Sequence, residues 1–371
     1  MAYWSINLII VFSLCVLLAG ILIPQILLIA YRKNLFDEVD ERKIHKGAIP
    51  RLGGFAFQPV IMLSIALVLG GNIMLGYPQF AYAFTENILL MIATFCSVLL
   101  LYLVGLADDL IGIKYRAKFV VQLICAVLVI CGGAWFDSLG GILGINELPP
   151  FIGYPFTAII IVFLINAINL IDGIDGLASG LSSIAVTIFG LSFLILGEYA
   201  LSIIAFATLG VLCPFFYYNV FGNVKKHSKI FMGDAGSLTI GLLLCILGIK
   251  LYTADPGELE FNPVVLAFSP LIVPCFDVVR VYMLRIRQHR SPFLPDKNHI
   301  HHKLLAAGLQ PRIAMISIIS VSAAFTLFNL FLSWYINLNF VVIIDIIVWV
   351  CGNIWLSKAI ARRRALEEQK A

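Results

Sequence analysis

The chain has 371 residues, of which 61% are hydrophobic and only 12% charged, with a formal net charge of +4. So apolar a composition excludes a soluble globule and marks a polytopic membrane protein. The small net charge, with no basic stripe interleaved with aromatics, argues against nucleic acid as a partner, and the eight cysteines, scattered singly through apolar runs without CxxC pairs, indicate neither a zinc site nor a disulfide framework.

About 20 mostly apolar residues cross a bilayer as a helix. On that rule the sequence predicts an all-α chain with about eleven transmembrane helices, at 6–30, 53–71, 87–107, 116–135, 155–171, 177–196, 199–220, 236–253, 262–286, 312–336 and 338–361. The first run is long and has no small-residue cleavage site before the charged stretch, so it reads as a retained helix and not a signal peptide. An odd number of spans puts the termini on opposite sides, and the basic residues choose between the two orientations. Lys and Arg cluster at 32–51, 114–118, 225–229, 280–312 and 358–370; of the 25, only Lys250 lies elsewhere. All five clusters fall on one face of an eleven-span chain. That face is expected to be cytoplasmic, with the N-terminus outside and the C-terminus inside. The opposite connections carry Glu86, Asp137, Glu147, Glu198, Asp255, Glu258 and Glu260. No soluble domain interrupts the spans, so 1–371 is expected to form a single integral-membrane domain whose longest inner loop is about 287–311.

Four polar stretches break the apolar pattern. ADDLIGIKYRAKFVVQ puts Asp108 and Asp109 at the inner end of the third span, followed by Lys114, Arg116 and Lys118. NAINLIDGIDG, with Asn169, Asp172 and Asp175, falls at the inner end of the fifth. KIFMGDAGS places Asp234 at the inner mouth of the eighth, and SPFLPDKNHIHHKL, with His299, His301 and His302, lies in the inner loop. Each has an ordinary structural explanation when taken singly. Asp108–Asp109 reads as a solvated helix end, Asp175 and Asp234 as caps, and the histidines as a surface patch. Ionisable groups near membrane depth are nevertheless costly and mark sites, and here four distant segments bring them to one face.

Carboxylates without a cysteine–histidine ligand pattern suit a hard divalent cation such as Mg²⁺ or Mn²⁺, which takes oxygen ligands and bridges phosphate oxygens. The lysines, arginines and histidines supply what a bound pyrophosphate needs. Glycines of IDGIDG and GDAGS permit close backbone approach to a phosphate. No GxxxxGK[ST] loop is present, which disfavours an ATP-driven pump. Phosphoryl transfer from a nucleotide-activated group to an acceptor dissolved in the membrane uses every one of these features.

HKGAIPRLGG, the DD of LADDLIGI, NLIDGIDGLA, FMGDAGS and PDKNHIHHKL occur in the order and at about the spacing of the polyprenyl-phosphate N-acetylhexosamine-1-phosphate transferase family, which the chain resembles over nearly its whole length. PDKNHIHHKLLAAG is similar to the loop of the GlcNAc-1-phosphate branch and unlike that of the phospho-N-acetylmuramoyl-pentapeptide transferases. The resemblance implies an enzyme of the bacterial inner membrane, with a cytoplasmic-face active site. It implies the reaction UDP-GlcNAc plus undecaprenyl phosphate to undecaprenyl-pyrophosphoryl-GlcNAc plus UMP, the initiating step of an O-antigen, common-antigen or teichoic-acid type pathway. Mg²⁺ is the implied cofactor, with Mn²⁺ as a substitute, and a homodimer is compatible with it. By the same resemblance Asp234 is a metal ligand. Asp108 and Asp109 serve either the acceptor phosphate or the metal and nucleotide, Asp108 being the second metal candidate. Asn169, Asp172 and Asp175 form the nucleotide-side motif, and Lys118 pairs phosphate. His299, His301 and His302 form the pyrophosphate or sugar loop, with His301 in the catalytic set beside Asp172 and Asp175, and Lys46 and Arg51 contact phosphate or headgroup. A direct single displacement is the simpler course, because the phosphate nucleophile is already ionised near neutral pH.

Three other readings stay open on the sequence. The donor could be another UDP-HexNAc, such as GalNAc or a modified sugar, or less readily UDP-MurNAc-pentapeptide. A secondary transporter also places acids in the membrane, but near the midplane and usually with an internal repeat, which is not seen here. A non-catalytic scaffold has no need of NLIDGIDG and GDAGS together.

Overall fold

The computed structural model describes residues 1–35, 49–256, 259–291 and 298–368. Those residues form helices and short 3₁₀ turns, without a strand. In chain order the helices are α1 (Ala2–Lys33), α2 (Phe57–Met74), α3 (Gln79–Glu86), α4 (Ile88–Ile111), α5 (Tyr115–Cys131), α6 (Pro150–Ile171), α7 (Leu177–Leu196), α8 (Tyr199–Val220), α9 (Gly233–Tyr252), α10 (Pro263–Phe268), α11 (Ile272–Arg287), α12 (Ile300–Ala306), α13 (Pro311–Leu332) and α14 (Leu338–Glu368). The architecture is that of an all-α polytopic membrane protein.

Ten of the eleven expected spans are helical segments long and apolar enough to cross a bilayer. The eleventh, α5, has 17 residues, which is roughly 25 Å at 1.5 Å per residue. One span is broken: α10 and α11 make up Pro263–Arg287 with a 3₁₀ turn at Ser269–Leu271 between them. A break frees backbone groups that hydrocarbon cannot satisfy. Here α13 supplies a partner to one of them, Ser322 Oγ donating to the Pro270 carbonyl at 3.3 Å, while Asn329 Nδ2 donates to the Ser269 side-chain Oγ at 3.1 Å. Asn329 Nδ2 also donates to Asp345 Oδ2 of α14 at 2.8 Å, tying three spans together at one buried polar point.

The centre of the bundle is α9, GDAGSLTIGLLLCILGIKLY, in which sixteen of twenty residues are buried. A helix apolar on every side belongs in a core, and α9 is enclosed by α4, α6, α7 and α10. The outward faces carry large apolar side chains, among them Ile9, Leu67, Leu103, Val127 and Leu327, which suits hydrocarbon.

The N-terminal end of α9 is held by a stretch distant in sequence. Phe231 N–H donates to the Pro50 carbonyl, and Gly53 and Gly54 N–H donate to the carbonyls of Phe231 and Met232, at 2.8–2.9 Å. A Cβ on Gly54 would overlap the backbone at Gly236, so this approach requires glycine. Residues 50–54 of PRLGG are thereby laid along FMGDAGS, and Arg51 is brought to its mouth.

Candidate functional site

Asp234, in the first turn of α9, receives Lys118 Nζ on Oδ2 at 2.8 Å and Asn169 Nδ2 on Oδ1 at 3.1 Å. Lys118, from the first turn of α5, also reaches Asp108 Oδ2 at 3.1 Å, so one ammonium joins carboxylates from α4 and α9. Asp108 Oδ1 accepts the Ile113 N–H at 2.7 Å, which fixes the turn between α4 and α5. Asn169, near the end of α6, donates as well to Ser237 Oγ at 2.8 Å, one turn along α9. Four helices thus converge on a partly open cluster of two acids, one cation and one amide.

The neighbouring Asp109 points elsewhere. Its two oxygens accept the backbone N–H groups of Asp234 and Ala235, at 2.8 and 2.9 Å. A carboxylate there does for α9 what an N-cap side chain does, in trans, and is favoured by the helix dipole. The geometry makes Asp109 the residue that orients Asp234.

Asp172 ends α6. Burial above all, then the charges of Asp175 and Asp234, push its carboxyl up to about 7, against the opposing pull of Arg51. Asp175 pairs with Lys229 Nζ at 2.6 Å. The next residue, Gly176, starts α7 and donates its N–H to Asn219 Oδ1 at 2.6 Å.

The histidine loop folds onto this turn. A Cβ on Gly173 would overlap the His301 imidazole, so the first glycine of IDGIDG is the surface on which that ring rests. His301 is 1% exposed, and neither ring nitrogen has a hydrogen-bond partner among the described residues. Burial first, then His302 and His299, hold it down to about 3, so the ring is neutral. The rings of His299 and His301 lie parallel, 5.8 Å apart, and His302 lies 4.2 Å from His301. Lys303 of α12 donates to the Asn353 carbonyl and Oδ1, at 3.2 and 3.1 Å, which binds the loop to α14.

The site therefore gathers Arg51, Asp108, Asp109, Lys118, Asn169, Asp172, Asp175, Asp234, His299, His301 and His302 at one end of the bundle, and Lys46 lies outside the described residues. Sequence reasoning passed over Asp277, Lys229 and Asn219. Asp277, in α11, is fully buried and accepts from His299 Nδ1 at 2.8 Å, the Ile300 N–H at 2.9 Å and Arg280 Nη2 at 2.8 Å. Its signal was available, a lone carboxylate within the apolar run 262–286.

Among the described residues no three Asp, Glu, His or Cys side chains form a ready-made metal cage. Mg²⁺ ordinarily takes one or two carboxylates and completes its shell with water and substrate phosphate. Asp234 and Asp108, hard oxygen donors on facing helices that share a single ammonium and so keep a net negative charge, fit an ion of that kind.

Residues 91–252 match the glycosyl transferase family 4. The chain is 32% identical over 299 residues to the undecaprenyl-phosphate alpha-N-acetylglucosaminyl 1-phosphate transferase of Escherichia coli (strain K12), covering 80% of this chain and 76% of that protein. To the enzyme of that name in Yersinia pestis it is 33% identical over 300 residues, with the same two shares. A probable undecaprenyl-phosphate N-acetylglucosaminyl 1-phosphate transferase of Bacillus subtilis (strain 168) is 30% identical over 357 residues, covering 94% of this chain and 93% of the relative.

Proposed function

Since the chain belongs to glycosyl transferase family 4, the polyprenyl-phosphate N-acetylhexosamine-1-phosphate transferases, and is an integral-membrane phosphoglycosyl transferase, we propose that it moves GlcNAc-1-phosphate from UDP-GlcNAc to undecaprenyl phosphate, releasing UMP. The observation that carries this reading is the Asp108–Lys118–Asp234–Asn169 cluster beside the histidine loop: alternating charge at the end of a membrane bundle is what a pyrophosphate and a cation require. The whole chain, 1–371, acts as one catalytic unit at the cytoplasmic face of the bacterial inner membrane, at the start of a cell-surface glycan pathway.

In the reaction an oxygen of the acceptor phosphate forms a bond to the donor's β-phosphorus. The bond from that phosphorus to the bridging oxygen breaks, and its electron pair leaves on UMP, while the sugar–phosphate bond persists. Asp234 with Asp108 would hold Mg²⁺, which when bound would supply positive charge against the pyrophosphate. Lys118 sets a positive charge between the two acids. Asp172, whose carboxyl is pushed up to about 7 by burial and by the charges of Asp175 and Asp234, lies on the nucleotide side of the site with Arg51 beside it. Asp109 holds Asp234 in place, and the neutral His301, whose ring nitrogens have no partner among the described residues, offers hydrogen bonds to the donor.

Release of UMP from UDP-GlcNAc by the purified protein, dependent on both undecaprenyl phosphate and Mg²⁺, is the expected result. No UMP with UDP-GlcNAc, but turnover of UDP-GalNAc or another UDP-HexNAc in the same panel, would replace the donor and keep the reaction class. Absence of turnover with every sugar nucleotide would remove the proposal.

A further inference from the structure

We propose that Asp277 is a positioning residue for sugar-nucleotide recognition: it fixes the His299 ring and its proton so that Nε2 is presented to the donor as a hydrogen-bond acceptor. This rests on the reading of the histidine loop as the donor side of the site.

Asp277 is 0% exposed, in VPCFDVVR of α11. A carboxylate so placed is costly unless it is paired and hydrogen-bonded. Among the described residues its hydrogen-bond partners are all donors: Arg280 Nη2 and the Ile300 N–H on Oδ1, and His299 Nδ1 on Oδ2. Arg280 Nη2 also donates to the Asn298 carbonyl, so the acid and its arginine grip residues 298–300 together. Surrounded by donors, Asp277 is ionised and can only accept. His299 must then carry hydrogen on Nδ1, so that the neutral ring has its lone pair on Nε2.

The consequence extends to the next ring. His299 and His301 are parallel to within 5°, and His301 rests on the Gly173 backbone. Fixing the first imidazole therefore sets the lateral position of the second, whose two nitrogens are buried without partners among the described residues. A lone pair at His299 Nε2 suits the hydroxyl or acetamido N–H groups of a HexNAc, both of which donate. A loop glued to α11 merely for stability has no need to govern which ring nitrogen holds the proton. Replacing Asp277 by Asn would favour the opposite arrangement, with the amide donating to Nδ1 and the proton moved to Nε2.

The test uses the full-length protein in detergent and initial rates of UMP release, varying UDP-GlcNAc at saturating undecaprenyl phosphate and then the reverse. Asp277→Asn and His299→Gln should each lower kcat/KM for UDP-GlcNAc by about tenfold or more, chiefly through KM, with the acceptor KM within about twofold of wild type. The double variant should lose no more than the worse single, because the two act as one unit. A Asp277→Asn variant with unchanged donor KM, or losses that multiply in the double variant, overturns the proposal. Asp277→Glu keeps the charge beside Arg280 but displaces the oxygens by a methylene, and so covers the case in which the asparagine variant does not fold. It too should raise the donor KM, and an unchanged value overturns the proposal. Wild-type kinetics in His299→Gln alone would remove instead the donor-loop reading, and the role of Asp277 with it.

Discussion

Asp109 on α4 and Asp234 on α9, 125 residues apart in sequence, meet through the backbone: the Asp109 carboxylate accepts the Asp234 N–H at 2.8 Å and that of Ala235 at 2.9 Å. Removing this clamp should damage the fold and the chemistry together. In Asp109→Asn one oxygen becomes an N–H donor facing a backbone N–H, which costs about 1–3 kcal/mol for the group left unsatisfied. The expected result is a lower melting temperature in detergent and UMP release reduced by about tenfold or more. Wild-type melting with abolished turnover would show instead that Asp109 acts on substrate.

Asp234→Asn should show a different balance. The amide keeps the shape of the side chain but withdraws charge from the two oxygens that Lys118 and Asn169 separately address. Turnover should nearly vanish, by about a hundredfold or more, while the melting temperature falls less than in Asp109→Asn, because the Asp234 side chain is part-exposed and water can meet the donor left over. High turnover at ordinary Mg²⁺ would dismiss Asp234 from the mechanism. Asp345→Asn is the control: Asp345 is 1% exposed and takes the Asn329 amide at 2.8 Å, a bond the new amide oxygen can also accept. It should retain most activity.

Replacing His301 and His302 by Ala should lower kcat/KM for UDP-GlcNAc by about tenfold or more, equivalent to ~1.4 kcal/mol of transition-state stabilisation. The acceptor KM should stay near wild type, since the loop lies against the IDGIDG turn through Gly173. Wild-type kinetics in the double variant would reduce the loop to a surface feature.

The Asp172 carboxyl gives a pH signature of known sign. Its folded-state value is raised to about 7 from 3.8, so between those two values the folded protein binds a proton that the unfolded chain has lost. Stability then falls as pH rises from about 4 to about 7. Asp172→Asn removes that contribution. The variant should melt higher than wild type at pH 8, with the difference shrinking on acidification and gone near pH 4, even as UMP release falls. A variant that melts lower than wild type at pH 8 would show that the ionised carboxylate is stabilised in the fold.

The expected orientation rests on charge alone. A reporter fused after Ala371 should be cytoplasmic and one placed before Trp4 external, if the Lys and Arg clusters lie on one face of the expected eleven-span chain. Labelling of single cysteines that puts both ends on one side would contradict it.

What the sequence determined by itself is the set of spans and the identity of the chemical groups. Apolar runs near 20 residues leave a membrane-crossing helix as the state that satisfies every backbone group in hydrocarbon, and the runs from 6–30 to 338–361 appear as the helices α1 to α14. The motifs likewise singled out Asp108, Lys118, Asn169 and Asp234, which now touch one another. Only the tertiary structure divided the labour among them. Asp108 and Asp109 are consecutive letters, yet successive residues of a helix point about 100° apart, and the packing of α4 on α9 sends one to Lys118 and the other to the backbone. Asp277 stood alone in an apolar run until His299, at the start of α12, was placed against it, and Gly173, a glycine expected to let backbone approach a phosphate, has His301 lying on it. Hydrophobicity and motif are local properties of the chain. Which carboxylate meets which lysine, amide or imidazole across a hundred residues is set by how the helices pack.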